Sequence, residues 1–323
     1  MSEVTSGAGV DVLTFGEAMV SFRTDGALVN GTSCTAHVAG AESNVAIGLA
    51  RLGHSVRWVG GVADDLLGDL VESTLVTEGV DVVRVPSGGR PAGLMLLQRR
   101  TADIARVAYA RKDSAGSRLT VDAVLAALGA AGVGWLHVTG ITPALSATAA
   151  DATRAAVRHA ASAGVRVSLD VNYRAGLWSR EAARAALAEL VPYVDVLIAS
   201  EDELDLVGEP GRTETELVAR LLGEGCREVV VKRGARGAML VTSAGVRLDA
   251  DALPVTVVDV VGAGDAFTSG YISGRLDDLT DRACLDRGVS MGAFAVSTRG
   301  DWEGLPRRAE LGLLAATGSD VER

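Results

Sequence analysis

The sequence predicts an α/β protein: a doubly wound, mostly parallel sheet with helices on both faces, plus a small β-sheet lid. Three observations carry that prediction. Short β-branched runs alternate with Ala/Leu/Arg segments of helical period, the pattern of repeated βαβ units. The runs are apolar along their length, as strands covered on both faces must be. Two stretches, about 20–38 and 93–110, look like strands with no helix between them and are more polar than the rest.

Taken along the chain, strands are expected at 12–15, 56–60, 135–138, 165–170, 194–198, 229–232 and 255–258, with Ala-rich helices such as 180–191 and 214–224 between them. The two polar excursions read either as a small separate sheet over the ligand crevice or as a pair of surface hairpins. Residues 123–150 carry no formal charge, yet Gly129, Gly132, Gly134, Gly140 and Pro143 interrupt them, so they read as helix, turn, buried strand and loop rather than a membrane span. Composition is even from end to end, without linker or repeat. The expectation is one domain over 1–323 with the lid inserted in it.

Composition bounds the function. Of 323 residues, 48 % are apolar and 22 % charged, which is a globular balance. Thirty-one basic against 41 acidic residues give a net charge of −10, with no local run of Lys/Arg. Binding to a nucleic-acid backbone needs a concentrated basic footprint, so a nucleic-acid partner is not expected. Cys34, Cys226 and Cys284 are far apart and without a CxxC or His cluster, which argues for reduced, buried thiols. The N-terminal MSEVTSGAGVDV has no basic region leading into an apolar run. A cytoplasmic location is expected.

Doubly wound folds bind ligands beyond the carboxyl ends of their strands. There the unusual polar residues fall: Asn172-Tyr173-Arg174 after one strand, Ser200 to Glu203 after the next, Arg233-Gly234 after Lys232, and Gly262 to Asp265 after 255–258. The last group sits in DVVGAGDAF (259–267). Small residues ahead of a helix leave backbone N–H groups uncovered where the helix dipole adds positive charge, so a phosphate or a developing oxyanion fits. An isolated turn of this kind is better explained by Asp265 capping its helix. However, a carboxylate beside an anion nest repels the anion, which points instead to work with a proton: accepting hydrogen from a hydroxyl as its oxygen attacks phosphorus. No G-x-x-x-x-G-K-[ST] occurs, and GEAMVSF rather than G-x-G-x-x-G follows the first strand.

DVVGAGDAF resembles the C-terminal signature of the ribokinase-like (PfkB) carbohydrate kinases, D-T-x-G-A-G-D-x-F. AGAESNVAIGLARLG (39–53) and VVVKRGARGAML (229–240) resemble that family's N-terminal and nucleotide-binding segments. YARKDSAGSRL (109–119), LHVTGITPALS (136–146), DVNYRAGLWS (170–179) and RGDWEGLP (299–306) together look like the branch acting on 2-keto-3-deoxygluconate. The resemblance implies a three-layer fold with a β lid, ATP and Mg²⁺ as cofactors, and phosphoryl transfer to the terminal hydroxyl of that sugar acid or its galactonate epimer. The alternatives are a kinase of a neutral sugar (fructose, ribose) or nucleoside, or a non-catalytic sugar-binding protein on the same fold.

By resemblance, Asp265 is the catalytic base, and the amides of Gly262, Ala263 and Gly264 stabilise charge on the moving phosphoryl group. Asp259 either shares in catalysis or fixes the loop. Asn172, Ser200, Lys232, Gly234, Ala235 and Gly237 match nucleotide-binding positions, although a lysine like Lys232 at a strand end is by default a surface residue. Gly40, Ala41, Asn44 and Asp301 match sugar contacts. Tyr109 and Arg111 share a strand face by alternation, and an arginine fork suits a carboxylate, although an exposed strand arginine is usually just solvated. Arg174 matches a position that reaches phosphate or substrate. Glu203 matches the acid that organises Mg²⁺. Departures from the pattern are Ser200 for Asn, Val260 for Thr, and Met95 where a substrate-facing Tyr is common. Exposed lid edges invite pairing, so a homo-oligomer through the lid is expected.

Overall fold

The computed structural model describes residues 9–100, 105–130 and 132–314. The chain opens with β1 (Val10–Phe15), leaves the main sheet for β2 (Met19–Asp25) and β3 (Thr35–Ala39), and returns through α1 (Ala41–Arg51) to β4 (Val56–Val62), α2 (Leu66–Thr77) and β5 (Asp81–Pro86). A second excursion forms β6 (Gly93–Arg99) and β7 (Ala105–Ala110). A regular alternation follows: α3 (Val121–Gly129), β8 (Val133–Thr139), α4 (Ala147–Ser162), β9 (Arg166–Asp170), α5 (Arg180–Ala188), β10 (Val196–Ser200), α6 (Glu214–Gly223) and β11 (Glu228–Lys232). The antiparallel β12 (Ala238–Thr242) and β13 (Arg247–Ala250) lead to α7 (Ala263–Leu276) and α8 (Asp281–Val296).

The main sheet has nine strands in the order β13-β12-β11-β10-β9-β8-β1-β4-β5. It is parallel from β5 to β11. Connectivity reverses at β1, which lies between β4 and β8, and the C-terminal ends of these strands therefore bound a crevice. Successive strand residues go to opposite layers. Val12, Trp135, Ile198 and Val230 pack with Phe267 and Tyr271 of α7 and with α1, α2 and α8, whereas Leu13, Leu136, Leu197 and Val229 pack with α3 to α6. Burial on both faces is the reason the strands read as unbroken apolar runs.

The two excursions join into a single four-stranded sheet, β3-β2-β6-β7, rather than separate hairpins. β2 and β6 run parallel, and a small cluster of Met19, Ala39 and Met95 anchors the sheet beside the crevice. Residues 101–104 of the expected lid lie outside the described residues.

Three expectations are corrected. Residues 255–258 form no strand: Val258 donates its N–H to the Val296 carbonyl at 2.7 Å, and Val257 is 62 % exposed. A β-branched run alone cannot supply the ladder partner a strand needs. Cys34 is exposed, while Cys226 and Cys284 are buried; all three thiols are free. The helix expected over 180–191 stops at Ala188, and Pro192 sits in a following 3₁₀ turn, Val191–Tyr193. Among the described residues no helix is long and apolar enough to cross a membrane.

Candidate active site

Gly262 starts α7 at φ +76°, a left-handed conformation that favours glycine, and a Cβ there would overlap the Asp301 carbonyl oxygen. No side chain caps this helix. Asp265 therefore does not cap it. Its carboxylate instead accepts two amides: Asn44 Nδ2 donates to Oδ2 at 2.8 Å, and Asn172 Nδ2 donates to Oδ1 at 3.2 Å. Asn44 comes from the first turn of α1, where its own N–H bonds the Gly40 carbonyl at 2.7 Å, so Gly40 and Ala41 set its place. Asn172 lies just beyond β9 at φ +40°, a region Asn tolerates better than most side chains. Burial pushes the Asp265 carboxyl up to about 6, with Asp170 adding to the rise and Asn44, Arg174 and Lys232 opposing it. Asn44 Oδ1 is buried and without a partner in the protein.

Behind this turn lies a buried ion pair. Lys232, at the end of β11, places Nζ 2.8 and 2.7 Å from the two oxygens of Asp170 at the end of β9. Thr268 Oγ1 of α7 donates to Asp170 Oδ2 at 2.9 Å. Burial opposes the charge on Lys232, yet Asp170 and Glu203 hold it above the ordinary lysine value. A Cβ at Gly264 would sit 3.4 Å from Nζ, so the ammonium lies directly under the α7 N-terminus. Lys232 is thus neither a surface lysine nor a free cation. Gly234 and Gly237 turn the chain from β11 to β12 at φ +54° and +84°, with Ala235 exposed between them, and a Cβ at Gly237 would overlap the Ala250 carbonyl of β13.

Glu203 is buried and ties two strand-end loops together, accepting the Tyr173 N–H at 2.7 Å and the Ser200 N–H at 2.9 Å. The Ser200 hydroxyl donates to Asp202 at 2.7 Å. Asp301 is 3 % exposed and pairs with Arg23 of β2 at 2.8 Å. Burial pushes its carboxyl up to about 7 against the pull of Arg23, with Glu303, Asp265 and Asp259 adding to the rise. Asp259 serves the loop, accepting the Val261 N–H at 3.3 Å and pairing with Arg99 of β6 at 2.7 Å.

Tyr109 is 52 % exposed on β7, and the Arg111 guanidinium lies 5.6 Å from its ring centroid, although Arg111 stands one residue beyond the strand rather than on its face. Arg111 is not free, however. Its Nε donates to Glu17 Oε2 at 2.7 Å, its Nη2 contacts the same oxygen, and Ser114 Oγ donates to Oε1. Gly93 and Gly116 make room for this buried acid, since a Cβ at either would press on the Glu17 side chain. Arg174 is exposed; its Nη1 donates to the Tyr173 carbonyl at 3.2 Å, and among the described residues no carboxylate lies within 4 Å of it. Sequence reading missed Glu17, Arg23, Arg99 and Asp170. Two of them stood in view: Glu17 follows the first apolar strand, and Asp170 ends another.

The crevice thus combines an uncapped helix N-terminus over a buried ammonium, a carboxylate raised toward neutrality by burial and held by two amides, and an exposed arginine. That is the equipment of an enzyme that moves a charged group onto an alcohol. The chain belongs to the pfkB family of carbohydrate kinases, whose model matches residues 11–308. It is 38 % identical over 320 residues to the 2-dehydro-3-deoxygluconokinase of Bacillus subtilis, with 94 % of each chain covered. It is 34 % identical over 300 residues to the 2-dehydro-3-deoxygalactonokinase of Haloferax volcanii, covering 90 % of this chain and 92 % of that one. The ATP- and Mg²⁺-bound structure of an E. coli protein assigned as ribokinase II superposes with a TM-score of 0.85 at 25 % identity, covering 95 % and 99 % of the two chains.

Proposed function

We propose that this carbohydrate kinase transfers the γ-phosphoryl group of ATP to the terminal hydroxyl of 2-keto-3-deoxygluconate or its galactonate epimer. The carrying observation is the Asp265 carboxylate at the α7 N-terminus, held by Asn44 and Asn172 and pushed up to about 6 by burial. A base of that strength is ionised at neutral pH yet still accepts a proton as the hydroxyl oxygen bonds to phosphorus. The proton moves from the sugar hydroxyl to Asp265 while the bond between the β–γ bridging oxygen and γ-phosphorus breaks and ADP leaves. The amides of Gly262, Ala263 and Gly264, with the Lys232 ammonium beneath them, offset charge on the moving group. The exposed Leu253, Val257, Val258 and Val260 ahead of the nest offer an apolar surface to a nucleobase, beside the turn of Gly234, Ala235 and Gly237.

Arg174 and the remaining donors of Arg111, beside Tyr109, face the sugar acid's carboxylate in this reading, and Gly40, Ala41, Asn44 and Asp301 line the sugar. Among the described residues no three His, Cys, Asp or Glu side chains cluster as a cage. A single carboxylate such as Glu203 is an oxygen donor of the kind Mg²⁺ takes, since that ion is held through one or two carboxylates, water and substrate phosphates rather than by an all-protein shell. Glu203 is the acid that would hold it through water, and the ion would offset charge on the phosphates. The four-stranded sheet acts as the lid of a single kinase domain, built from about 20–38 and 93–110. All six residues of β7 are exposed, Val107 and Tyr109 included, which supports pairing of two copies through the lid. A cytoplasmic location follows from the supply of ATP.

The test is a coupled ADP assay across sugar acids, neutral sugars and nucleosides, run beside Asp265→Asn. The reading expects the 2-keto-3-deoxy acids to turn over fastest and the variant to lose at least about 100-fold in kcat. Faster turnover of fructose would select the neutral-sugar alternative. Binding without ADP release would select a silent sugar-binding protein, and a variant within a few-fold of the parent would remove Asp265 as base.

A further inference from the structure

Three arginine–carboxylate ion pairs, beside a contact of His37 of β3 with Glu303 at 2.6 Å, join the small sheet to the two loops flanking the α7 N-terminus. Arg23 of β2 pairs with Asp301 at 2.8 Å, Arg99 of β6 with Asp259 at 2.7 Å, and Asp25 of β2 with Arg299 at 2.8 Å. The sheet presents these groups in register. Arg23 and Asp25 are two residues apart and so share a face, and Asp25 is the direct neighbour of Arg99 across the parallel β2–β6 pair. The sheet therefore shows plus, minus, plus, and the body answers with minus, plus, minus. A shift of β2 by two residues would set Asp25 against Asp301, like charge against like.

The pairs differ in depth. Arg23–Asp301 and Arg99–Asp259 are buried, with side-chain exposures of 12 %/4 % and 16 %/5 %, while Asp25–Arg299 is open at 67 %/64 %. Both buried acids reach the candidate phosphoryl site, Asp259 through its side chain and Asp301 through its backbone carbonyl. Asp259 holds the Val261 N–H one residue ahead of Gly262, and Arg99 also bonds the Val258 carbonyl at 3.3 Å. The Asp301 carbonyl packs against Gly262 so closely that only glycine fits. A cleft of about 470 Å³ lies under the same edge, bounded by Arg23, Asp25, Arg99, Asp259 and Arg299.

We propose that Arg23 and Arg99 are positioning residues: closing the small sheet brings their guanidinium groups onto Asp301 and Asp259, and this fixes the 259–264 turn in the shape that receives the phosphoryl group. Opening the sheet leaves Asp259, Asp301, Glu303 and Asp265 near one another without these two counter-charges, so the turn loosens and transfer stops. Phosphoryl transfer is thereby tied to a closed crevice, where water is excluded as acceptor. The inference rests on reading this turn as the phosphoryl site, but its decisive measurement needs no substrate.

That measurement is hydrogen exchange on the full ligand-free chain, comparing the parent with Arg99→Met, Arg99→Lys and Arg23→Met. The Val258, Asp259 and Val261 amides are hydrogen-bonded and have protection to lose. Arg99→Met should raise their exchange at least about ten-fold together with β2 and β6, and Arg99→Lys should restore most of the protection. Unchanged exchange at 258–261 in a folded Arg99→Met chain overturns the coupling, whatever the substrate proves to be. In turnover, Arg99→Met should lower kcat at least about ten-fold, because small misplacements of reacting groups are costly, while KM for ATP stays within about two-fold. Asp259→Asn should lose the same factor, and the double variant no more than either single one. Losses that multiply would mean the two residues act separately and would refute the pair. If the parent phosphorylates no sugar acid at all, the substrate reading fails and the exchange result still decides the latch.

Discussion

Asn44→Leu removes a hydrogen-bond donor from the Asp265 carboxylate while nearly keeping the side-chain volume. Asn44 Nδ2 lies 2.8 Å from Oδ2, and with Asn172 at 3.2 Å it completes the pair of amides that holds the ionised form. A hydrogen bond to a charged group is worth about 1.5–3 kcal/mol, and one pKa unit corresponds to about 1.4 kcal/mol, so the change is one to two units. The direction is upward, because the lost bond favoured the charged form. Asp265 starts at about 6, so the variant should titrate at about 7 to 8. At pH 7 the ionised fraction falls from about nine-tenths to roughly a quarter, and at pH 9 it is nearly restored. The assay is kcat/KM from pH 5 to 9, whose acid limb reports the free enzyme's base. A change in sugar affinity from losing Asn44 moves the height of the profile but not its midpoint. Asn172→Leu, removing the longer bond, should shift the midpoint less. An acid limb unmoved in a folded Asn44→Leu chain would refute the assignment of Asp265 as base.

Other consequences are as specific. The Asp265 carboxyl is raised in the folded state from 3.8 to about 6; its contribution to stability is therefore full below the unfolded value and is lost as pH rises through 6. Asp265→Asn should then be more stable than the parent at pH 8, by at most roughly 3 kcal/mol, with the gain vanishing toward pH 4, as thermal melts at the two pH values will read. Gly262→Ala places a Cβ at a positive φ and into the Asp301 carbonyl, at a cost of order 1–3 kcal/mol for the backbone alone; kcat should fall far more than the melting temperature, and an active variant would remove the nest. Arg174→Gln should raise KM for a sugar acid about ten-fold while leaving a neutral sugar unaffected, since one charge-assisted bond is lost; equal effects on both would remove Arg174 as the carboxylate's partner.

The sheet and its layers were legible because a strand buried on both faces leaves an unmistakable apolar run, and the small separate sheet was legible as two polar interruptions of that rhythm. Residues 255–258 misled for the same reason: Val255, Val257 and Val258 have the chemistry of a strand but are spent on an open surface beside the nest. In the site, residue types were readable and partnerships were not. Lys232, Asn44, Asn172 and Arg111 could each be singled out, yet Asn44 meets Asp265 across 221 residues and Lys232 meets Asp170 across 62. Such pairings depend on which strands lie side by side. Asp170 is level with Ile198, and Ser200 with Lys232, only because β9, β10 and β11 are adjacent in that register. Charge pairing across the crevice is a property of strand order, which local pattern does not encode.

Those pairings change what kind of binding site this is. Lys232, Arg111, Arg23 and Arg99 each stand against a carboxylate, respectively Asp170, Glu17, Asp301 and Asp259. The crevice therefore holds several cations without holding much net positive charge, and Arg174 is the exposed exception. Bare cations would grip ATP, ADP and the phosphorylated product alike, and uniform binding of ground states does nothing for the chemical step. In the proposed function, amides at the α7 N-terminus act differently: they are fixed, uncharged overall, and face the point where charge would develop. Neutralised arginines and lysines then serve as rigid supports for those dipoles, and a net acidic protein can process two anionic substrates without trapping its anionic products.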